Sequence, residues 1–291
     1  MITLSALHIY PIKSCGGIDL SEAGVSELGL AMDRRWMLID RDGRFLSQRE
    51  HPLMATVKTA LTDDALIVRA PGMPVLSLPL ELAGAAASAD SAATVSASIW
   101  DYAMQPLDCG EQAHEWFSAY FGADARLVRF NPAEQRICSQ KWTGDAVATT
   151  QFSDGFPLLV VSESSLEDLN QRMKKKGAPA IPMNRFRPNV VLSGLDAYEE
   201  DYVDTLTLGE PGSEIVLRMV KPCARCPVPG IDQETGLGSA QWPNEPLDTL
   251  ATYRANDRVD GGLTFGQNAI VIQGQDNLLR VGQQAHIELN F

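Results

Sequence analysis

Hydrophobic and polar positions alternate through MITLSALHIY (Met1–Tyr10), the two-residue period of a strand with one buried face. The same period, broken by turn residues, recurs in ALIVRAPG, PVLSLPL and AATVSASIW and predicts short strands of a barrel or sandwich. Arg34–Glu50 reads as a hairpin whose arms join at Arg41-Asp42-Gly43, and the small-residue stretch ELAGAAASADSAATV as a loop. A helical period follows in GEQAHEWFSAYFG (Gly110–Gly122), which predicts a helix stopped by Gly122, and then a strand in ARLVRF. Beyond a polar, irregular stretch from Asn131 to Ala148, DGFPLLVVSESSLEDLNQRMKKKG reads as an apolar strand running into a helix. Ser164 and Glu167 have the spacing of a capping box there, and the helix ends at Gly177. RPNVVLSG, TLTLGE and EIVLRMVKPCARC read as further strands, EPLDTLATYR as a short helix, and FGQNAIVIQG with LLRVGQQAHIEL as closing strands. The expected fold is mainly β with a few helices (α+β): a β-barrel over 125–291 packed against a smaller, β-rich, barrel-like unit over 1–124, with no linker between them.

Composition narrows the class. An apolar fraction of 45% in 291 residues is ordinary for a chain that buries a full core. No apolar run approaches the roughly 20 residues that span a bilayer, and the start lacks the basic-then-apolar pattern of a secretion signal. The five cysteines are too few and too scattered for a disulfide scaffold, so the expectation is a reducing cytoplasm, with Cys109 and Cys138 as buried, unpaired thiols. A net charge of −13 argues against a nucleic-acid surface. The one basic run, Lys174–Lys176, lies where it complements a helix C-terminus. An anionic ligand would need a locally basic pocket.

The chemistry concentrates in VKPCARCPVPGIDQETG (Val220–Gly236), with Cys223 and Cys226 around Arg225. A zinc site needs four ligands. There is no second cysteine pair, and His8, His51, His114 and His286 are isolated. A thioredoxin-like dithiol needs a helix start after the first thiol, and Pro227, Pro229 and Gly230 block one. Two readings stay open: a structural pair of thiols on a strand, or a single thiolate at a strand end, favoured as the anion by Lys221 and Arg225 and suited to a soft or high-valent metal.

At this point the sequence resembles the MOSC family, named for the C-terminal domain of molybdenum cofactor sulfurase, and within it the group of amidoxime-reducing components and YcbX-type bacterial proteins. The first part is similar in YPIKSCGG, MDRRWMLID, SQREHP and LDCGEQAHEWFSAYFG, the second in FSDGFPLLVVSESSLEDLN, RFRPNVVLSG, KPCARC, DQETG and FGQN, all in order. The resemblance implies a mononuclear molybdenum cofactor with Cys226 as the protein's thiolate ligand to the metal and Cys223 as a bystander; no pyridoxal phosphate is expected. It further implies that Lys13, Ser14, Arg34 and Arg187 bind the pterin and its phosphate, with Asn189, the Asp154-Gly155 loop, Arg49 and Arg225 beside them. Arg offers a bidentate fork suited to phosphate, although Arg35 competes with Arg34 for the inward position until the register is known.

The activity implied is an oxidoreductase that removes oxygen from small N-hydroxylated compounds. No cysteine follows Cys226, and a plant-type iron–sulfur cluster needs four, so electrons are expected from a separate ferredoxin- or flavin-type protein. Asp232 or Asp154 is the candidate proton donor, against the simpler reading of Asp232 as a turn residue. The Pro-Val-Pro-Gly after Cys226 departs from the family pattern and points to a distinct substrate wall. The competing readings are a cofactor carrier or sulfur-transfer module without reductase activity, and a metal-free β-barrel binding protein.

Overall fold

The computed structural model describes residues 1–81 and 93–290; most of the expected small-residue loop lies outside them. The described chain is mainly β, with four α-helices: α1 (Glu111–Phe121), α2 (Gln140–Thr143), α3 (Glu163–Lys175) and α4 (Leu247–Leu250). Seven strands close a barrel. In chain order they are β1 (Ile2–Ile9), β2 (Leu158–Ser162), β3 (Val190–Ser193), β4 (Val203–Leu208), β5 (Ile215–Ala224), β6 (Gly262–Gln273) and β7 (Gln284–Leu289). Around the barrel the order is β2-β3-β1-β7-β4-β5-β6, and β6 returns to β2 with Leu158 opposite Ala269 and Val160 opposite Gln267.

Only β2 and β3 are parallel. Parallel neighbours need a crossover long enough to hold a helix, and α3 is that crossover. Alternation fills the interior: Leu4, Leu7, Leu158, Val160, Leu192, Leu206 and Leu217 join one buried apolar cluster. Strand β1 comes from the extreme N-terminus yet pairs with β3 and β7, so the hydrogen-bonding network runs across the expected boundary. A second apolar cluster belongs to the first half, where Trp36, Leu38, Leu66 and Val68 pack on Trp116 and Phe117 of α1. The strand Trp36–Ile39 pairs with Arg126–Arg129, which carries the chain back toward the barrel.

Two local expectations change. The return arm of the Arg34–Glu50 hairpin forms only at Phe45, bridged to Ile39, and at Leu46, whose amide donates to Leu38 (2.8 Å). The chain then turns at Ser47–His51 because the Gln48 side chain is held elsewhere, donating to the Ser14 carbonyl (2.6 Å). The N-cap of α3 is Ser162, which accepts from the Ser165 amide, and Ser164 instead donates to the Leu195 carbonyl. Strand β2 runs straight into the helix, so the cap falls on its last residue.

Strand β5 changes register against β6 three times, last between Pro222 and Ala224. Proline cannot donate to the ladder and is tolerated at such a bulge, and bulges re-aim side chains beside functional sites. Directly across the closure, Gly266 has φ +76°, and a Cβ there would come within 2.6 Å of Val161 Cγ2 and 2.7 Å of the Val160 carbonyl oxygen. Gly266→Ala combines left-handed strain with a backbone clash and is expected to lower stability by roughly 2–4 kcal/mol. Urea unfolding of the purified variant checks this; an unchanged midpoint would contradict the barrel closure.

Candidate functional site

A cleft of about 160 Å³ opens where the barrel meets the first half of the chain. Lys13, Ser14, Arg34 and Arg49 reach it from the first half, and Asp154, Gly155, Arg187, Asn189, Arg225 and Cys226 from the second. Six of its lining residues are Lys or Arg and only Asp154 is a carboxylate. In a chain of net charge −13 this is the local basic pocket that an anion requires.

The first wall is built by two segments zipped together. The Arg34 amide donates to the Tyr10 carbonyl (2.9 Å), the Trp36 amide to Pro11 (3.0 Å) and the Lys13 amide to Trp36 (2.8 Å). Arg34, not Arg35, turns inward: its Nη1 donates to Asn189 Oδ1 (2.9 Å) and pairs with buried Asp33, whereas Arg35 pairs with Glu81 (2.9 Å). The guanidiniums of Arg34 and Arg187 lie 4.3 and 4.1 Å from the centroid of the same Tyr10 ring. Burial raises the Tyr10 phenol to about 12 despite these cations, and burial lowers Arg187 to about 10.

Ser14, Arg34 and Arg187 have φ of +66°, +46° and +56°. Non-glycine residues in this region cost energy, and such strain gathers at functional sites. Beneath them runs a chain of buried amides. Gln48 and Gln233 exchange hydrogen bonds (3.1 and 3.0 Å), and Gln233 Oε1 also accepts from Arg187 Nη1 (3.3 Å). Arg187 Nη2 is buried with no hydrogen-bond partner among the described residues. An unpaired buried guanidinium nitrogen is costly and calls for an acceptor.

The opposite rim is Ser153–Gly155. Arg136 holds it by donating to the carbonyls of Gln151 (2.9 Å) and Asp154 (2.7 Å), and Lys13 Nζ pairs with the Asp154 carboxylate while donating to the Phe152 carbonyl (2.9 Å). Desolvation at the rim pushes Asp154 up, but the ammonium of Lys13 outweighs it and holds the carboxyl at about 2.

Both thiols of the Cys-x-x-Cys line the cleft, and all five cysteines are free. They differ in setting. Cys223, at the end of β5, packs on the apolar cluster around Phe186 and Phe265, and burial raises its pKa against the opposing charge of Arg225. Cys226 lies beyond the strand and outside that cluster. The prolines allow a single 3₁₀ turn, Val228–Gly230, clasped by Arg185 through the Pro229 carbonyl (3.3 Å). The two flanking cations serve differently from the sequence expectation. Arg225 donates to the carbonyls of Phe265 (2.6 and 2.9 Å) and Phe186 (3.1 Å), and Lys221 turns out of the cleft to lie 5.2 Å from the Trp142 ring centroid. Bulges in β5 break the simple alternation that would have put Lys221 beside the thiols.

Asp232 does not line the cleft. Its Oδ1 accepts from the amides of Glu234 and Thr235 (both 2.9 Å) and its Oδ2 from Arg185 (2.8 Å). Burial works against it, but these donors hold the carboxyl below its usual range. That is the chemistry of a turn residue. Among the described residues no group of three His, Cys, Asp or Glu side chains is placed to hold a metal ion, so a metal here would depend on ligands from outside the protein.

Residues 1–124 match the MOSC N-terminal beta barrel domain and residues 148–286 the MOSC domain. The mitochondrial amidoxime reducing component 2 of Bos taurus is 36% identical over 262 residues, 88% of this chain and 73% of its own. Its Homo sapiens counterpart is 35% identical, and the human mitochondrial amidoxime-reducing component 1 is 32% identical over 265 residues, with the same coverage of 88% and 73%. The chain belongs to the MOSC family.

Within this MOSC protein, sequence reasoning passed over Tyr10, Gln48, Gln233, Arg136 and Arg185. Three of them sit inside motifs already quoted, YPIKS, SQREHP and DQETG, where the flanking charges drew attention first. Arg136 lies in the irregular stretch, where no period signalled it.

The Lys13–Asp154 pair is testable by pH. The folded pKa of Asp154 lies below its ordinary value of 3.8, so its contribution to stability is complete above that value and is lost as pH falls through about 2. Asp154→Asn leaves a buried ammonium with one carbonyl partner and is expected to cost roughly 1–3 kcal/mol at pH 7. Denaturant unfolding between pH 7 and 2 should show the two proteins converging toward the acid end; a constant gap would contradict the pairing.

Proposed function

We propose that this chain reduces N-hydroxylated compounds in the cleft, at a molybdenum cofactor that takes Cys226 as its protein thiolate. The observation that carries the reading is the buried, unpartnered Nη2 of Arg187 at the centre of a cationic, conformationally strained cleft that also presents Cys226. The relatives' printed names supply the reaction class, reduction of amidoximes.

The residues fit the group. A pterin phosphate needs charge-assisted donors, and Arg187 offers a free one; Arg49 makes no ion pair among the described residues and lines the same wall. Arg34 and Lys13 contribute charge while their own donors hold the wall together. When bound, the cofactor supplies two-electron chemistry and accepts the oxygen atom. The balance is one N–O bond broken and one N–H bond made: R–C(=NOH)NH₂ with two electrons and two protons gives R–C(=NH)NH₂ and water. A separate electron-donor protein supplies the electrons.

In this reading the protons come from solvent. Lys13 holds Asp154 as an anion and its turn does the same for Asp232, so neither carboxyl donates at neutral pH. Cys223, with its thiol favoured by burial, stays out of the metal shell. A cytoplasmic location belongs to the same proposal and is supported by the five free thiols.

Protein made in cells that synthesise the cofactor is expected to retain molybdenum and to reduce benzamidoxime with an artificial reductant. Cys226→Ser should lower kcat at least about a hundredfold, as expected when a group acting directly on the reacting centre is lost, while Cys223→Ser stays within about threefold. Absence of molybdenum or tungsten by elemental analysis, or the reverse cysteine pattern, would overturn the proposal. Retained metal without reduction of any N-hydroxylated substrate would favour a cofactor carrier.

A further inference from the structure

A second cavity, of about 450 Å³, lies against the cleft, and Asp154, Gly155 and Phe156 line both. That volume is within the range of small-molecule sites. The dividing wall is open at Gly155, where a Cβ would meet no atom within 4 Å. The far walls are aromatic: Trp100, Tyr102 and Trp142. We infer that this cavity is the substrate vestibule, and that it selects flat, aromatic N-oxygenated compounds by stacking the ring on these side chains while the N–O group reaches over Gly155 into the cleft. The inference rests on the reductase reading and names its substrate class.

Trp100 supports this independently of the cavity. It is 45% exposed and has φ +54°, a conformation that is costly for a bulky residue. Neither burial nor turn chemistry accounts for a tryptophan there. Its ring packs edge-on against Phe45, at 5.0 Å and 61°, and lies 4.4 Å below the guanidinium of Arg49, which lines the cleft. The strained residue thus joins the vestibule to the cofactor wall. Tyr102 is fixed by donation to the Gln135 carbonyl (3.0 Å), and Lys221 lies over Trp142. The Arg136 guanidinium is committed to the rim carbonyls. What the cavity offers a ligand is chiefly π surface, which stacks on flat rings and gains nothing from a ligand without one.

The test uses the molybdenum-loaded enzyme with a reduced viologen dye as electron source and two substrates, benzamidoxime and hydroxylamine. Trp142→Ala is expected to raise KM for benzamidoxime about three- to tenfold, the loss of one aromatic stacking contact, with kcat within twofold and both hydroxylamine constants unchanged. Trp142→Phe should restore most of the loss. Trp100→Gly relieves the left-handed strain. It should therefore fold with an unlowered thermal midpoint and still weaken benzamidoxime. A readout free of turnover is calorimetric titration of benzamidine, the amidine product, which should bind the wild type and bind both alanine and glycine variants more weakly by a similar factor. Equal losses on both substrates, or no change with benzamidoxime, would overturn the vestibule and leave the reductase reading standing. A wild type that reduces neither substrate would sink both.

Discussion

Two guanidinium groups share one phenol ring, and the cleft is organised around that contact. Arg34 and Arg187 repel each other, yet both lie within 4.3 Å of the Tyr10 ring centroid. The arrangement holds because the ring's negative face attracts each cation and because Asp33, buried behind them, pairs with Arg34. The three residues come from positions 10, 34 and 187, so only a barrel that pairs β1 with β3 can bring them together. Fold and site are one construction here. The strand that completes the barrel also ends in the tyrosine that seats the cations.

The same cleft shows how an acidic protein prepares for an anion. Most of its cations are neutralised or saturated internally: Lys13 by Asp154, Arg34 by Asp33 and Asn189, Arg225 by backbone carbonyls. What is left over is specific, one buried nitrogen of Arg187, in a segment held left-handed by the surrounding structure. A site with every donor satisfied would bind nothing, and one with every donor free would not fold. The residual imbalance matches a single phosphate-sized acceptor better than a general polyanion surface.

Much of the secondary structure was legible from period alone, because strands that bury one face carry their alternation openly: β1, β2, β3, β4 and β6 lie where the pattern puts them. The closure was not legible. Nothing in Met1–Tyr10 announces that it pairs with residues near 190 and 285, because register is set by partners far away in sequence. In the site, ten of the eleven expected side chains, all but Asp232, meet in one cleft. Their identities came from resemblance in ordered motifs; their physical roles did not. Lys221 points away because bulges in β5 shift its phase. Asp232 is held in a turn by amides that no side-chain pattern reveals. Gln48 and Gln233 are uncharged, and only proximity across the fold shows that they brace Arg187.

Everything proposed for function turns on which sulfur reaches the metal. X-ray absorption at the molybdenum edge counts the sulfur neighbours directly in the loaded protein. The account predicts one sulfur fewer in Cys226→Ser than in the wild type, and no change in Cys223→Ser. A wild type and Cys226→Ser with the same sulfur count, or a sulfur lost on replacing Cys223, would contradict it.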